Sequence, residues 1–93
     1  MKNSEIKNII EALIFSANEP LTQAQVNNVF KPETPNLKEI IDQLNNQYNN
    51  QEHAFQIIKI AGGFQIVTRK RYEYFIKKLL KKTGRLALSI PAM

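Results

Sequence analysis

Apolar residues recur along this chain in two rhythms, helical and then β, and each change of rhythm marks the edge of an element. From Ser4 to Ala17, Ile6, Ile9, Ile10, Leu13, Ile14 and Ala17 keep the i, i+3, i+4 spacing of one helical face. Asn3 or Ser4 can cap this helix, and Glu5 suits the positive end of its dipole. Phe15 falls off the stripe, pointing almost opposite Ile6, so either a later element covers it or a partner does. Asn18-Glu19-Pro20 ends the helix, because the residue before proline is steered out of the α region. A second helix starts at a capping box, Thr22 with Gln25, flanked by the hydrophobic staple Leu21 with Val26. Val26, Val29 and Phe30 are expected to face inward, and the two prolines of KPETPN close the helix. Asn36 caps a third helix whose stripe is Leu37, Ile40, Ile41, Leu44 and Tyr48.

The rhythm then switches. Phe55–Thr68, FQIIKIAGGFQIVT, reads as two strands joined by a tight turn at Gly62-Gly63, where glycine supplies positive φ values. That turn sets Ala61 opposite Phe64, Lys59 opposite Ile66 and Ile58 opposite Val67. One face then carries Phe55, Ile57, Ala61, Phe64 and Ile66, and the other Ile58, Ile60 and Val67. A fourth helix over Arg69–Lys82, with Thr68 as its cap, carries an expected inner stripe of Tyr72, Phe75, Ile76, Leu79 and Leu80. Helices followed by a hairpin and a last basic helix make an α+β winged helix: a three-helix cluster, a two-stranded wing and a C-terminal basic helix. The winged-helix domain is expected over residues 1–84, with RLALSIPAM at 85–93 as a linker toward a second domain beyond it.

Charge sharpens this picture. The net charge is +5, yet residues 69–85 hold eight Lys/Arg and one acid, so the basic character belongs to one helix. Arg69, Lys70, Arg71, Lys77, Lys78 and Lys81, with Tyr74 among them, could hold a phosphate backbone or simply form a solvated face. The third helix, which enters the major groove in DNA-reading winged helices, offers Lys38, Glu39, Asp42, Gln43, Asn45, Asn46, Gln47 and Asn49. With one cation and two acids it has little to hold it on DNA. The wing tip is Ala-Gly-Gly-Phe, neither polar nor basic. Both faces of the hairpin are partly apolar, more than one small core needs. Phe15, Ile58, Ile60, Phe64 and Val67 are therefore candidate residues for a protein interface, unless the helices cover them.

Catalytic chemistry finds no foothold. There is no cysteine, and the one histidine, His53, sits in a polar loop without a second metal-ligating neighbour. Gly62-Gly63 lacks the spacing and the Lys-Ser/Thr of a phosphate loop. No enzyme activity, metal or cofactor is expected. No run of apolar residues is long enough to span a membrane, and the acids at Glu5 and Glu11 break up the opening as a secretory signal.

Three stretches together resemble the segregation and condensation protein B (ScpB) family. They are EALIFSANEPLT at 11–22, IAGGFQIVTR at 60–69 and RLALSIPA at 85–92. The resemblance implies a non-enzymatic scaffold of a bacterial SMC–kleisin complex for chromosome condensation and segregation. It implies self-pairing through this domain as a homodimer, with the ScpA-like kleisin and an SMC protein as partners of the full-length protein. Contact with DNA is then indirect, and the location cytoplasmic and nucleoid-associated. The alternative from the residues themselves is a winged-helix DNA-binding module or transcriptional regulator using the fourth helix.

Overall fold

In the computed structural model, which describes residues 2–83, three helices precede a hairpin and one follows it. They are α1 (Asn3–Ser16), α2 (Gln23–Val29), α3 (Leu37–Asn50), β1 (Phe55–Ile60), β2 (Gly63–Thr68) and α4 (Glu73–Thr83), with a 3₁₀ turn at Lys70–Tyr72. The linker expected at 85–93 lies outside the described residues.

Local chemistry accounts for the helix starts. The Thr22 hydroxyl accepts from the Gln25 N–H at 3.2 Å, and the Gln25 amide accepts from the Thr22 N–H at 3.0 Å, completing the capping box. Asn36 accepts from the Glu39 N–H at 3.1 Å. The Gln23 side chain ties the two starts together, accepting from the Leu37 N–H at 2.8 Å and donating to the Pro35 carbonyl at 3.0 Å. At α1 the expected side-chain cap does not form: Lys2 holds the cap position without a side-chain bond. The Asn3 amide instead donates to Gln43 of α3 at 3.0 Å.

The core is built from the predicted stripes: Ile10 and Ile14 of α1, Val26 and Phe30 at α2, Leu37, Ile40, Ile41, Leu44 and Tyr48 of α3, with Leu21 and Ile57. Tyr48 is buried to 1 % exposure, and its hydroxyl donates to the Glu11 carboxylate of α1. Burial, then that hydrogen bond, then the charge of Glu11 push the phenol well above its ordinary pKa. Two expectations fail here. Val29 is exposed, because Val26 and Phe30, four apart, already define the buried line of a helix only two turns long. Helix four begins later than expected, since residues 70–72 wind as a 3₁₀ turn before α4 starts at Glu73.

The hairpin turn lies one residue earlier than Gly62-Gly63. Ala61 and Gly62 take the positive φ values, 51° and 79°, and Gly63 is the first residue of β2. The register moves by two, so Ile58 faces Gln65, Lys59 faces Phe64 and Ile57 faces Ile66. A two-residue shift preserves alternation, which is why both predicted faces survive while every predicted pair changes. Gly63 serves another purpose. The segment after α1 runs against β2, with Leu21 N–H donating to Phe64 O at 2.8 Å and Phe64 N–H to Leu21 O at 2.9 Å. A Cβ at residue 63 would lie 2.7 Å from the Leu21 carbonyl oxygen. On the other side of the hairpin, Asn45 of α3 clamps β1, accepting from Ile57 N–H and donating to Ile57 O, both at 2.9 Å.

Gly63→Ala is expected to cost about 1–3 kcal/mol through backbone overlap. Gly62→Ala, where open space surrounds the new methyl, is expected to cost about 1 kcal/mol of left-handed strain. Urea unfolding of the pair checks the order, and a milder loss at 63 than at 62 contradicts the packing role. Tyr48 supplies a second test. Its unfolded pKa is near 10.0 and its folded pKa is higher, so its contribution is complete below about pH 10 and declines as pH rises further. Unfolding free energy between about pH 10 and 11.5 should fall more steeply for the unmodified chain than for Tyr48→Phe, by up to about 1.4 kcal/mol per pH unit.

Candidate interaction surfaces

The outer face of the hairpin carries Ile58 and Ile60, 36 % and 43 % exposed, with Gln56, Gln65 and half-buried Val67 around them. Among the described residues no helix closes over this face to bury them. Phe64 belongs to the other side, packed against the core with Ile66 and Phe55. Phe15 is 58 % exposed and meets Phe55 edge-on, ring centres 6.1 Å apart, so among the described residues no later element buries it. The hairpin thus brings Ile58, Ile60 and Val67 together and sets Phe64 apart from them.

Helix α4 departs furthest from expectation. Its stripe was expected to face inward, yet Phe75 is 66 % and Leu79 61 % exposed, while Tyr72, Ile76 and Leu80 are half-buried. The reason is one of supply. Among the described residues the core is made by the stripes of α1 and α3 with Val26, Phe30, Leu21 and the inner hairpin face, and no residue of α4 belongs to it. Phe75 and Leu79 therefore join the candidate interface. The sequence held a clue, since four amphipathic stripes and a two-faced ribbon exceed the needs of a core this small.

The basic residues divide by role. Arg69 is structural: its Nε donates to the His53 carbonyl at 2.8 Å and its Nη2 to Asn49 at 2.7 Å, pinning the exit of β2 to the end of α3. His53 stacks on Phe55 and meets Tyr48 edge-on, a packing role. Lys77 pairs with Glu73 at 3.5 Å. Lys70, Arg71, Lys78 and Lys81 are exposed, with Lys78 over the Tyr74 ring at 5.6 Å. Several polar side chains of α3 are engaged within the fold. Asn45 holds Ile57, Asn49 holds Arg69, and Gln43 and Gln47 accept from Asn3 and Lys7 of α1. Among the described residues no cluster of His, Cys, Asp or Glu is arranged to hold a metal, and no helix is long and apolar enough to cross a membrane.

This arrangement matches a known family. The family model described as segregation and condensation complex subunit ScpB aligns with residues 8–93. The chain belongs to the ScpB family. A segregation and condensation protein B from Clostridium perfringens is 34 % identical over 89 residues, covering 95 % of this chain and 46 % of the relative. The chain thus spans about half the length of the curated ScpB relatives it matches. Among solved structures, ScpB from Mycobacterium tuberculosis superposes with a TM-score of 0.77 at 21 % identity, over 96 % of this chain and 56 % of that one, a likeness of fold. A ScpB N-terminal domain, solved as a dimer in complex with a ScpA peptide, gives a TM-score of 0.70 at 28 % identity, over 82 % of this chain and 95 % of that one. The ScpB winged-helix fold is therefore the fold of this chain.

Arg69→Ala should lower unfolding free energy by about 1.5–3 kcal/mol, the usual worth of hydrogen bonds from a charged group. Lys78→Ala, on the open face of α4, should stay within about 0.5 kcal/mol. Equal effects in urea titrations contradict this division of the basic residues.

Proposed function

We propose that this chain is a non-enzymatic scaffold module of a bacterial SMC–kleisin chromosome complex, and that it pairs with a second copy of itself. One observation carries the reading: four large apolar side chains, Phe75 and Leu79 on α4 and Ile58 and Ile60 on the wing, are exposed in the single chain. Water contact at these sites costs free energy that a partner surface recovers, at about 25 cal/mol per Å² of apolar area covered. Family membership supplies the context, and the dimeric ScpB N-terminal domain with its ScpA peptide supports both a second copy and a kleisin segment as occupants. The working location that follows is the cytoplasm, at the nucleoid. The self-pairing surface comprises Phe75 and Leu79 with Ile58, Ile60 and Val67, and Phe15 lies at its margin.

Pairing predicts a mass that doubles with concentration. Sedimentation equilibrium from about 1 to 200 μM should describe a monomer–dimer equilibrium with a dissociation constant in the micromolar range or tighter. Phe75→Glu combined with Leu79→Glu should weaken it at least tenfold, since a buried unpaired charge costs several kcal/mol. Ile58→Asn with Ile60→Asn should weaken it less. A strictly monomeric chain up to about 200 μM overturns the self-pairing scaffold.

A further inference from the structure

We propose that the face of α4 opposite its apolar stripe is a contact surface for the phosphate backbone of duplex DNA, held by Lys70, Arg71, Lys78 and Lys81 around Tyr74. The choice of duplex DNA among polyanions rests on the chromosomal reading above; the surface itself rests on geometry. Residues 74, 78 and 81 stand at i, i+4 and i+7 on α4 and form one ridge, while Lys70 and Arg71 lie exposed in the 3₁₀ turn that leads into it, Arg71 over the Tyr72 ring at 5.6 Å. At 100° per residue, residues 74, 78 and 81 centre about 160° from the middle of the Phe75, Ile76, Leu79 and Leu80 stripe of α4. Each of these basic side chains is exposed, and none is ion-paired among the described residues. The single acid of α4, Glu73, is engaged with Lys77 at the border of the ridge, so no carboxylate dilutes its potential. Tyr74 is 65 % exposed in the middle of the cations, packed edge-on against Phe75 and beneath Lys78.

The opposition of the two faces also suits an anionic bilayer interface, which would bury the apolar side; that side is assigned above to a second copy, and the vesicle titration below separates the two. The same opposition lets one copy use the stripe for a protein partner while the ridge stays open. Lysine dominates the ridge, and an ammonium is a point charge without the bidentate fork that reads guanine. Binding should therefore be independent of sequence and set by counterion release. The groove-entering helix of other winged helices is left out of the proposed surface, because Asn45, Asn49, Gln43 and Gln47 of α3 are engaged in hydrogen bonds to neighbouring elements and the helix has little net charge.

Fluorescence anisotropy of a labelled mixed-sequence 24-base-pair duplex, titrated with the whole chain, tests the proposal. Binding is expected at about 50 mM salt, and four neutralised phosphates predict a weakening of about a hundredfold by 200 mM. Lys70→Glu, Lys78→Glu and Lys81→Glu combined should lose at least tenfold in affinity at about 50 mM salt, and the three glutamine replacements an intermediate amount. Circular dichroism confirms the fold of each variant, and sedimentation of the same variants reads self-pairing separately. A variant that still pairs but no longer binds duplex supports the ridge. A chain that binds duplex as a monomer supports it too, while sinking the scaffold reading. No binding at about 50 mM salt, or a charge-reversed variant within twofold of the unmodified chain, overturns the proposal, as does binding to phosphatidylglycerol vesicles without binding to duplex.

Discussion

The fold depends on a close approach of two backbones. Leu21 and Phe64 exchange both of their hydrogen bonds, and this joins the segment between α1 and α2 to the wing. The approach is open only to a residue without Cβ at position 63. Everything downstream inherits its position from that contact. It sets Phe64 and Ile66 against the helices, leaves Ile58 and Ile60 on the far face, and fixes where β2 hands over to Arg69. Asn45 and Arg69 hold the ribbon from its other side and its exit, so three polar contacts orient an element whose inner face is apolar.

Much of this was legible in the residues, because local signals and burial agreed. The capping box of α2, the Asn36 cap of α3 and the stripes of both helices report directly what the chain does there, since a cap is read from four adjacent residues. The hairpin shows where such reading ends. Gly62-Gly63 looks like a turn because glycine tolerates positive φ, but the second glycine is demanded by a backbone forty-two positions earlier, and nothing local reveals it. The predicted faces nonetheless held, because alternation is insensitive to a shift of two. The stripe of α4 posed the opposite problem. Its amphipathic pattern was plain, but a pattern says only that a face wants covering, not whether the cover comes from the same chain. The basic cluster hid a further distinction. Arg69 and Lys70 are adjacent and equally charged, yet one is bound into the fold and the other is open to solvent.

The ScpB relatives give these features a setting. On the scaffold reading proposed above, α4 would serve two contacts, since it is apolar on one side and cationic on the other and follows the 3₁₀ turn after the wing. The helix that would read bases in a DNA-recognising relative of this fold is here absorbed into the framework. The contacts proposed above fall on the wing and the last helix instead.

The two backbone clamps on the ribbon have one more consequence. The outer edge of β1 is occupied at its middle, Ile57, by a side-chain amide from Asn45, and the outer edge of β2 is occupied near its start, at Phe64, by Leu21. A visiting strand therefore finds no unbroken ladder to extend on either flank. The clamps thus work against edge-to-edge growth of the ribbon from copy to copy, a protection placed on the strand edges rather than on the exposed apolar face.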